Sequence, residues 1–148
     1  MKNYHKLFET IGLFFYDNLF DEKYNKQILG EILSLANVFI KKIPNLRINK
    51  KLKTIKDLDN FCKKLEKYNK DYFFNFLTLV SNLKSINKII IDDKIAKLSS
   101  EVLREPQDSL LFSKVSFLVN LPKNKRVLYN WHNATNAYPK RNKCINFW

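Results

Sequence analysis

The sequence predicts an α+β protein in which a helical N-terminal part, residues 1–106, precedes strands in residues 107–148. Apolar residues recur at three- and four-residue steps up to Pro106, which is the spacing of amphipathic helices. In residues 114–120 the spacing shortens to two residues, which is typical of strands. A length of 148 residues with 45% hydrophobic content suits one ordinary domain with its own core.

Five apolar stripes predict helices in the first part. Pro44 ends the second helix, because the residue before a proline avoids helical angles, and the polar residues 45–53 predict a loop. Thr54 and Asp57 have the spacing of a capping box, which predicts the start of the third helix. The core-facing residues are Leu7, Phe8, Ile11, Phe14, Phe15 and Leu19; Ile28, Ile32, Leu35, Ala36, Phe39 and Ile40; Leu58, Phe61, Cys62 and Leu65; Phe73, Phe76, Leu77, Val80 and Leu83; Ile95, Leu98 and Val102.

Alternating apolar residues predict the strands of the second part. Residues 121–125 contain a proline and predict a turn between the first two strands. Asn130, His132 and Ala134 fall on one face of the second strand, opposite its apolar residues. The apolar residues are Val115, Phe117 and Val119 on the first strand, Val127, Tyr129 and Trp131 on the second, and Ile145, Phe147 and Trp148 at the start of a third.

The composition is strongly basic. Lysine and arginine total 27 against 14 acidic residues, for a net charge of +13, and the segment 109–148 contains no carboxylate. A basic surface attracts polyanions through its summed field. Only 4 of the 27 are arginines, the residues that best recognise phosphates and bases in a bidentate way. The charge therefore leaves two interpretations open: a lysine-rich helical interaction module that binds nucleic acid or another polyanion, or a solvated lysine surface.

Several classes of function are disfavoured by what the sequence contains. Two glycines are too few for a glycine-rich phosphate loop, and no apolar run approaches the length of about 20 residues that spans a bilayer. We therefore expect a cytoplasmic protein without a membrane partner. Cys62 and Cys144 have no metal or redox spacing, so we expect reduced, inert thiols.

The C-terminal third resembles a known family. A strand and proline turn at 112–122, Tyr-Asn-Trp-His-Asn-Ala at 129–134, Tyr-Pro at 138–139 and Ile-Asn-Phe-Trp at 145–148 follow one another in this order. This order resembles the phytanoyl-CoA dioxygenase-like family over residues 109–148. The resemblance implies a helical part followed by a double-stranded β-helix (jelly roll), Fe(II) and 2-oxoglutarate as cofactors, and hydroxylation of an organic substrate by this oxidoreductase family.

The resemblance also implies that most of the family's site is missing. His132 matches the first metal ligand of the family's His-x-Asp/Glu motif and is the only metal-ligand candidate. Ala134 occupies the carboxylate position and cannot coordinate iron. The family's second histidine and its oxoacid-binding arginine lie farther downstream than Trp148. We therefore expect a truncated, inactive oxygenase with no catalytic or cofactor-binding residues, which binds neither Fe(II) nor 2-oxoglutarate alone.

Two partners are compatible with these patterns. The first strands of an incomplete jelly roll leave an open sheet edge, which favours pairing with a chain that completes the fold. The lysine-rich helical part favours polyanions, at least through non-specific attraction.

Overall fold

The computed structural model describes residues 3–11, 16–17 and 19–111. Helix accounts for 76% of these residues, and none of them lies in a strand. A 3₁₀ helix, Pro44–Leu46, follows the second α-helix, and another, Gln107–Ser109, follows the last. The α-helices are α1 (Tyr4–Ile11), α2 (Glu22–Lys42), α3 (Ile55–Tyr68), α4 (Lys70–Ser81), α5 (Lys84–Ile90) and α6 (Asp93–Leu103).

The predicted α+β class is wrong, because the described part of the chain is helical. Where the sequence predicts the change to strands, the chain instead forms the 3₁₀ turn after Pro106. The Ser109 N–H and hydroxyl both donate to the Pro106 carbonyl, at 3.1 and 2.8 Å, so the turn satisfies its polar groups locally. The α+β class is predicted from alternating apolar residues within 115–148, and these residues lie outside the described part of the chain. The predicted boundary between a helical part, residues 1–106, and a second part, residues 107–148, stays a prediction.

The described residues form two compact units. One contains α1 and α6, with residues 3–11, 16–17, 19 and 90–111. The other, residues 20–89, contains α2, α3, α4 and all of α5 but its last residue. Across the described ranges, no helix combines the length and the hydropathy that a bilayer-crossing segment needs.

The core of the 20–89 unit is aromatic at its centre. Phe76 of α4 is fully buried, and its ring meets those of Phe39 and Phe61 at centroid distances of 5.4 and 5.0 Å. Both pairs cross at 75°, the edge-to-face arrangement that aromatic quadrupoles favour. Phe76 therefore joins α2, α3 and α4 into one core. The other buried apolar residues of the unit are Ile32, Ala36, Ile43, Leu46, Leu52, Leu58, Cys62, Leu65, Phe73, Leu77, Val80 and Ile86.

The helix α3 begins and packs as the sequence predicts. The Thr54 hydroxyl accepts from the Asp57 N–H at 3.1 Å, and the Asp57 carboxylate accepts from the Thr54 N–H at 3.1 Å. The ammonium of Lys50, together with backbone and hydroxyl donors, holds the pKa of Asp57 well below its usual range. The carboxylate is therefore charged at neutral pH and keeps the capping box closed. The predicted inward residues Leu58, Phe61, Cys62 and Leu65 are all buried.

The ends of the other predicted helices agree in part with the pattern. α2 ends at Lys42, two residues before Pro44, and α6 ends at Leu103, before Pro106. α1 ends at Ile11. The continuation of its apolar stripe through Phe14 and Phe15 lies outside the described residues.

α5 has no counterpart among the predicted helices, and polar bonds to α2 fix its start. Ser85 is fully buried; its N–H and hydroxyl donate to the Glu31 carboxylate at 3.3 and 2.7 Å. The hydroxyl of Tyr24 donates to the Ser85 carbonyl at 2.5 Å. Hydrogen bonds from Gln27 and Ser85 lower the pKa of Glu31, so a charged carboxylate anchors α5 to α2.

Candidate functional site

The site residues implied by the family resemblance are not among those the structure describes. His132, the metal-ligand candidate, lies outside the described ranges, as do Ala134 and Cys144. Among the residues that are described, no three His, Cys, Asp or Glu side chains come together in a metal-binding group. The prediction that His132 is an iron ligand therefore stays a prediction, and the described candidate site lies in the helical part.

The other histidine, His5, joins α1 to α6. Its Nδ1 lies 2.6 Å from the Val102 carbonyl, which can only accept, so Nδ1 carries the hydrogen and donates. Its Nε2 lies 3.1 Å from the Glu9 carboxylate, without the geometry of a hydrogen bond. His5 is buried. It thus serves as a packing and hydrogen-bonding residue within the α1/α6 unit.

Cys62 is a core residue. Its side chain is buried among the apolar residues of the 20–89 unit. Burial, with a smaller contribution from Asp59, raises the pKa of the Cys62 thiol to about 12. Since the thiolate is the nucleophile and the metal ligand, this thiol is inert near neutral pH, as the sequence predicts.

Within residues 1–108, the positive charge is concentrated in residues 41–70, which we call the basic segment; residues 109–148 carry a further net charge of +7. This segment contains eleven Lys and Arg residues and three acidic residues, for a net charge of +8. The rest of the chain up to Asp108 contains nine basic and eleven acidic residues, for a net charge of −2. All excess positive charge of residues 1–108 therefore lies in the basic segment. A general lysine bias in the composition would spread the charge more evenly.

Every cation of the basic segment is exposed to solvent. Two of them form ion pairs: Lys50 with Asp57 at 2.5 Å and Lys63 with Asp59 at 2.6 Å. The ammonium of Lys64 donates to the Arg47 carbonyl at 3.3 Å, a neutral acceptor that does not offset its charge. Within the described part of the chain, nine of the eleven cations have no ion-pair partner. The cations are Lys41, Lys42, Arg47, Lys50, Lys51, Lys53, Lys56, Lys63, Lys64, Lys67 and Lys70.

Three of these cations form a row along α3, which we call the lysine stripe: Lys56, Lys63 and Lys67. At about 100° per residue they lie within about 40° of one another around the helix axis, opposite the buried face. At about 1.5 Å per residue they span roughly 16 Å along the axis. The capping box and the core thus fix the backbone positions of a row of solvent-facing lysines, of which Lys63 is paired with Asp59. The spacing of this row suits an extended polyanion.

Asn37 holds the loop that brings further lysines beside α3. Its side-chain oxygen accepts from the Leu52 N–H at 2.8 Å, and its amide nitrogen donates to the Leu52 carbonyl at 3.1 Å and to the Leu33 carbonyl at 2.8 Å. Leu52 is buried. One side chain therefore satisfies both backbone groups of a buried residue whose neighbours, Lys51 and Lys53, point their charges outward.

Replacing Asn37 with alanine is expected to destabilise the protein by about 1–3 kcal/mol, because the polar backbone groups of Leu52 lose their partners. Urea denaturation followed by circular dichroism measures the change. Asn25→Ala is the matched control: Asn25 is an exposed residue of the same helix, and surface substitutions of this kind stay within about 0.5 kcal/mol. Equal losses in the two variants would contradict a role for Asn37 in holding the loop.

The sequence shows this concentration of positive charge only when the net charge is summed over a short stretch of residues. Dividing the chain near residue 108 gives a net charge of +6 for the first part, which hides the contrast between the basic segment and its surroundings. A thirty-residue window of net charge locates the segment. The placement of its residues on one helix face and one clamped loop comes from the fold.

Comparison of the chain with family models, with curated proteins and with solved structures finds no match. The resemblance to the phytanoyl-CoA dioxygenase-like family is neither supported nor opposed by these comparisons, and it stays a prediction. The function must therefore be inferred from the charges and contacts of the described residues.

Proposed function

We propose that the helical part is a non-enzymatic interaction module whose basic segment binds nucleic acid in the cytoplasm. The observation that carries the proposal is the separation of charge: +8 in residues 41–70 against −2 in the rest of the chain up to Asp108. Clustered lysines on one element are the electrostatic footprint of a protein that binds phosphate backbones. Each lysine that neutralises a phosphate releases counterions, which favours binding.

The residue types favour contacts to the phosphate backbone over readout of base sequence. Arg47 is the one arginine of the basic segment, and the other ten cations are lysines. An ammonium group binds phosphate as a point charge, whereas bidentate recognition of guanine edges is mostly the work of arginine. We therefore expect affinity that depends steeply on salt and weakly on sequence.

The experiment is a titration of a fluorescein-labelled 20-nucleotide single strand, followed by anisotropy at salt concentrations from 0.05 to 0.3 M. Three phosphate contacts from the lysine stripe predict a plot of log affinity against log salt with a slope of about −2 or steeper. Binding should persist at about 0.15 M salt, where the Debye length is about 8 Å. Binding that vanishes at this concentration would contradict the proposal, because only long-range attraction would then remain.

The oxygenase prediction is a separate matter, since its residues lie in the part of the chain that the structure leaves undescribed. With Ala134 in place of a carboxylate, the chain is expected to consume no 2-oxoglutarate in the presence of Fe(II) and oxygen. Turnover of 2-oxoglutarate by the purified chain would contradict this expectation. Neither the presence nor the absence of 2-oxoglutarate turnover tests nucleic-acid binding by the basic segment.

A further inference from the structure

Two exposed tyrosines lie next to each other at the end of the basic segment. Tyr68 is the last residue of α3, and Tyr72 is the third residue of α4. Their rings are nearly parallel, with an interplanar angle of 14° and centroids 6.3 Å apart. Tyr68 is 43% exposed and Tyr72 is 45% exposed, so neither ring is buried in the core. We call these residues the tyrosine pair.

The connection between the helices creates this arrangement. Asn69 alone separates α3 from α4; its backbone is extended, and its side chain accepts from the N–H groups of Asp71 and Tyr72 at 2.8 and 3.0 Å. This cap fixes the first turn of α4 immediately after α3. The two tyrosines, four residues apart in sequence, therefore come from different helices and meet across a rigid junction.

The lysines beside the tyrosine pair belong to the basic segment, and Asp71, the residue before Tyr72, adds one negative charge. Lys67 precedes Tyr68, and Lys70 follows Asn69; both are exposed and have no ion-pair partner within the described ranges. Lys67 is also the last member of the lysine stripe. Tyr68 lies about 100° around the helix axis from Lys67, so a polyanion that follows the stripe would reach the tyrosine rings by turning around the last turn of α3.

From this geometry we propose that the tyrosine pair stacks unpaired bases, so that the ligand of the basic segment is single-stranded nucleic acid. The inference rests on the proposed function. Aromatic side chains beside a basic track are the means by which proteins bind single strands without sequence preference, because every base has a π face. The bases of a duplex are already stacked on one another and offer no face to the rings. The phosphates of the single strand lie along the lysine stripe, and a base extends the stack of the tyrosine pair.

The test compares a fluorescein-labelled dT20 strand with a labelled 20-base-pair duplex, both at 0.1 M salt. The wild-type protein should bind the single strand more tightly. Tyr68→Ala/Tyr72→Ala should weaken binding to dT20 by about tenfold or more. The same variant should leave the affinity for the duplex and the salt slope unchanged, because no charge is altered. Tyr68→Phe/Tyr72→Phe should keep the wild-type affinity within about twofold, because the ring faces remain.

A matched control is Tyr16→Ala. Tyr16 is 45% exposed and, like the tyrosine pair, lies beside another tyrosine, Tyr4, at 5.3 Å, but it lies outside the basic segment. This control should bind dT20 as the wild-type protein does. The thermal unfolding midpoint of each variant is measured alongside, since a structural role would lower it and would weaken binding to both ligands equally.

The outcomes separate the two proposals. Wild-type binding to the duplex that equals or exceeds binding to dT20 would overturn the stacking proposal and leave polyanion binding intact. An unchanged affinity of the double alanine variant for dT20, or an equal loss with both ligands, would do the same. Failure of the wild-type protein to bind either ligand at about 0.15 M salt would overturn the proposed function itself.

Discussion

Phe76→Ala is expected to destabilise the protein by about 3–5 kcal/mol, the usual cost of removing a fully buried phenylalanine ring. The ring of Phe76 lies between those of Phe39 and Phe61, so its removal leaves a cavity and ends two edge-to-face contacts. Small domains are stable by about 5–15 kcal/mol, so the loss is a large part of the total. Urea denaturation followed by the helical circular dichroism signal measures it.

Phe74→Ala is the control for this variant. Phe74 lies on the same helix and is 52% exposed, so the same substitution removes a ring without opening a cavity in the core. We expect a loss below about 1 kcal/mol. A variant Phe76→Ala that is too unstable to purify in folded form agrees with the prediction when Phe74→Ala folds normally. Equal stabilities of the two variants would contradict the central position of Phe76.

The second large effect is expected for binding. Lys56→Gln/Lys63→Gln/Lys67→Gln removes the lysine stripe and should weaken binding to a 20-nucleotide single strand by roughly 100-fold at 0.1 M salt. The estimate follows from a salt slope of about 0.7 for each phosphate contact, which the loss of three contacts should make shallower by about 2. All three residues are exposed on α3, so the stability of the fold should change little.

The control removes the same number of charges elsewhere. Lys6, Lys23 and Lys97 are exposed lysines outside the basic segment, and their joint replacement with glutamine gives the same net charge as the stripe variant. This control should keep the salt slope and lose at most a few-fold in affinity. Equal weakening by the two triple variants would show that binding depends on total charge, and would contradict a site on α3.

The α3 region was predictable from sequence because its signals are local. Thr54 and Asp57 form the capping box through their own backbone groups, so a four-residue pattern specifies the helix start. The inward face follows from the 3.6-residue period alone. α5 is different. It has seven residues, too few for a period, and its start is fixed by Glu31 and Tyr24, more than fifty residues earlier in the chain.

The error in fold class has a similar physical origin. A two-residue alternation over five residues, such as 115–119, gives little information about whether a strand has a partner to pair with, since pairing is a long-range property. The described chain near the expected boundary forms a 3₁₀ turn because Pro106 and Ser109 bond to each other. Local hydrogen bonds thus decided the conformation at the expected boundary, while residues 115–119 lie outside the described part of the chain.

From the sequence, the candidate site could be predicted only as an excess of positive charge. The lysine content is visible in the composition, but the tyrosine pair depends on the single extended residue, Asn69, between two helices. A helical wheel of α3 alone gives no reason to place Tyr72 beside Tyr68, because Tyr72 belongs to another helix. The clamp from Asn37 to Leu52 likewise joins residues 15 apart in the chain, through side-chain bonds that no local pattern indicates.

Lysine protection tests the central claim most directly. The protein is acetylated with an amine-reactive ester, alone and in complex with dT20 at 0.1 M salt, and the modified lysines are quantified by mass spectrometry. We predict that Lys56, Lys63 and Lys67 become protected in the complex, while Lys23 and Lys97 react as they do in the free protein. Protection spread evenly over all lysines, or confined to residues outside 41–70, would contradict nucleic-acid binding by the basic segment.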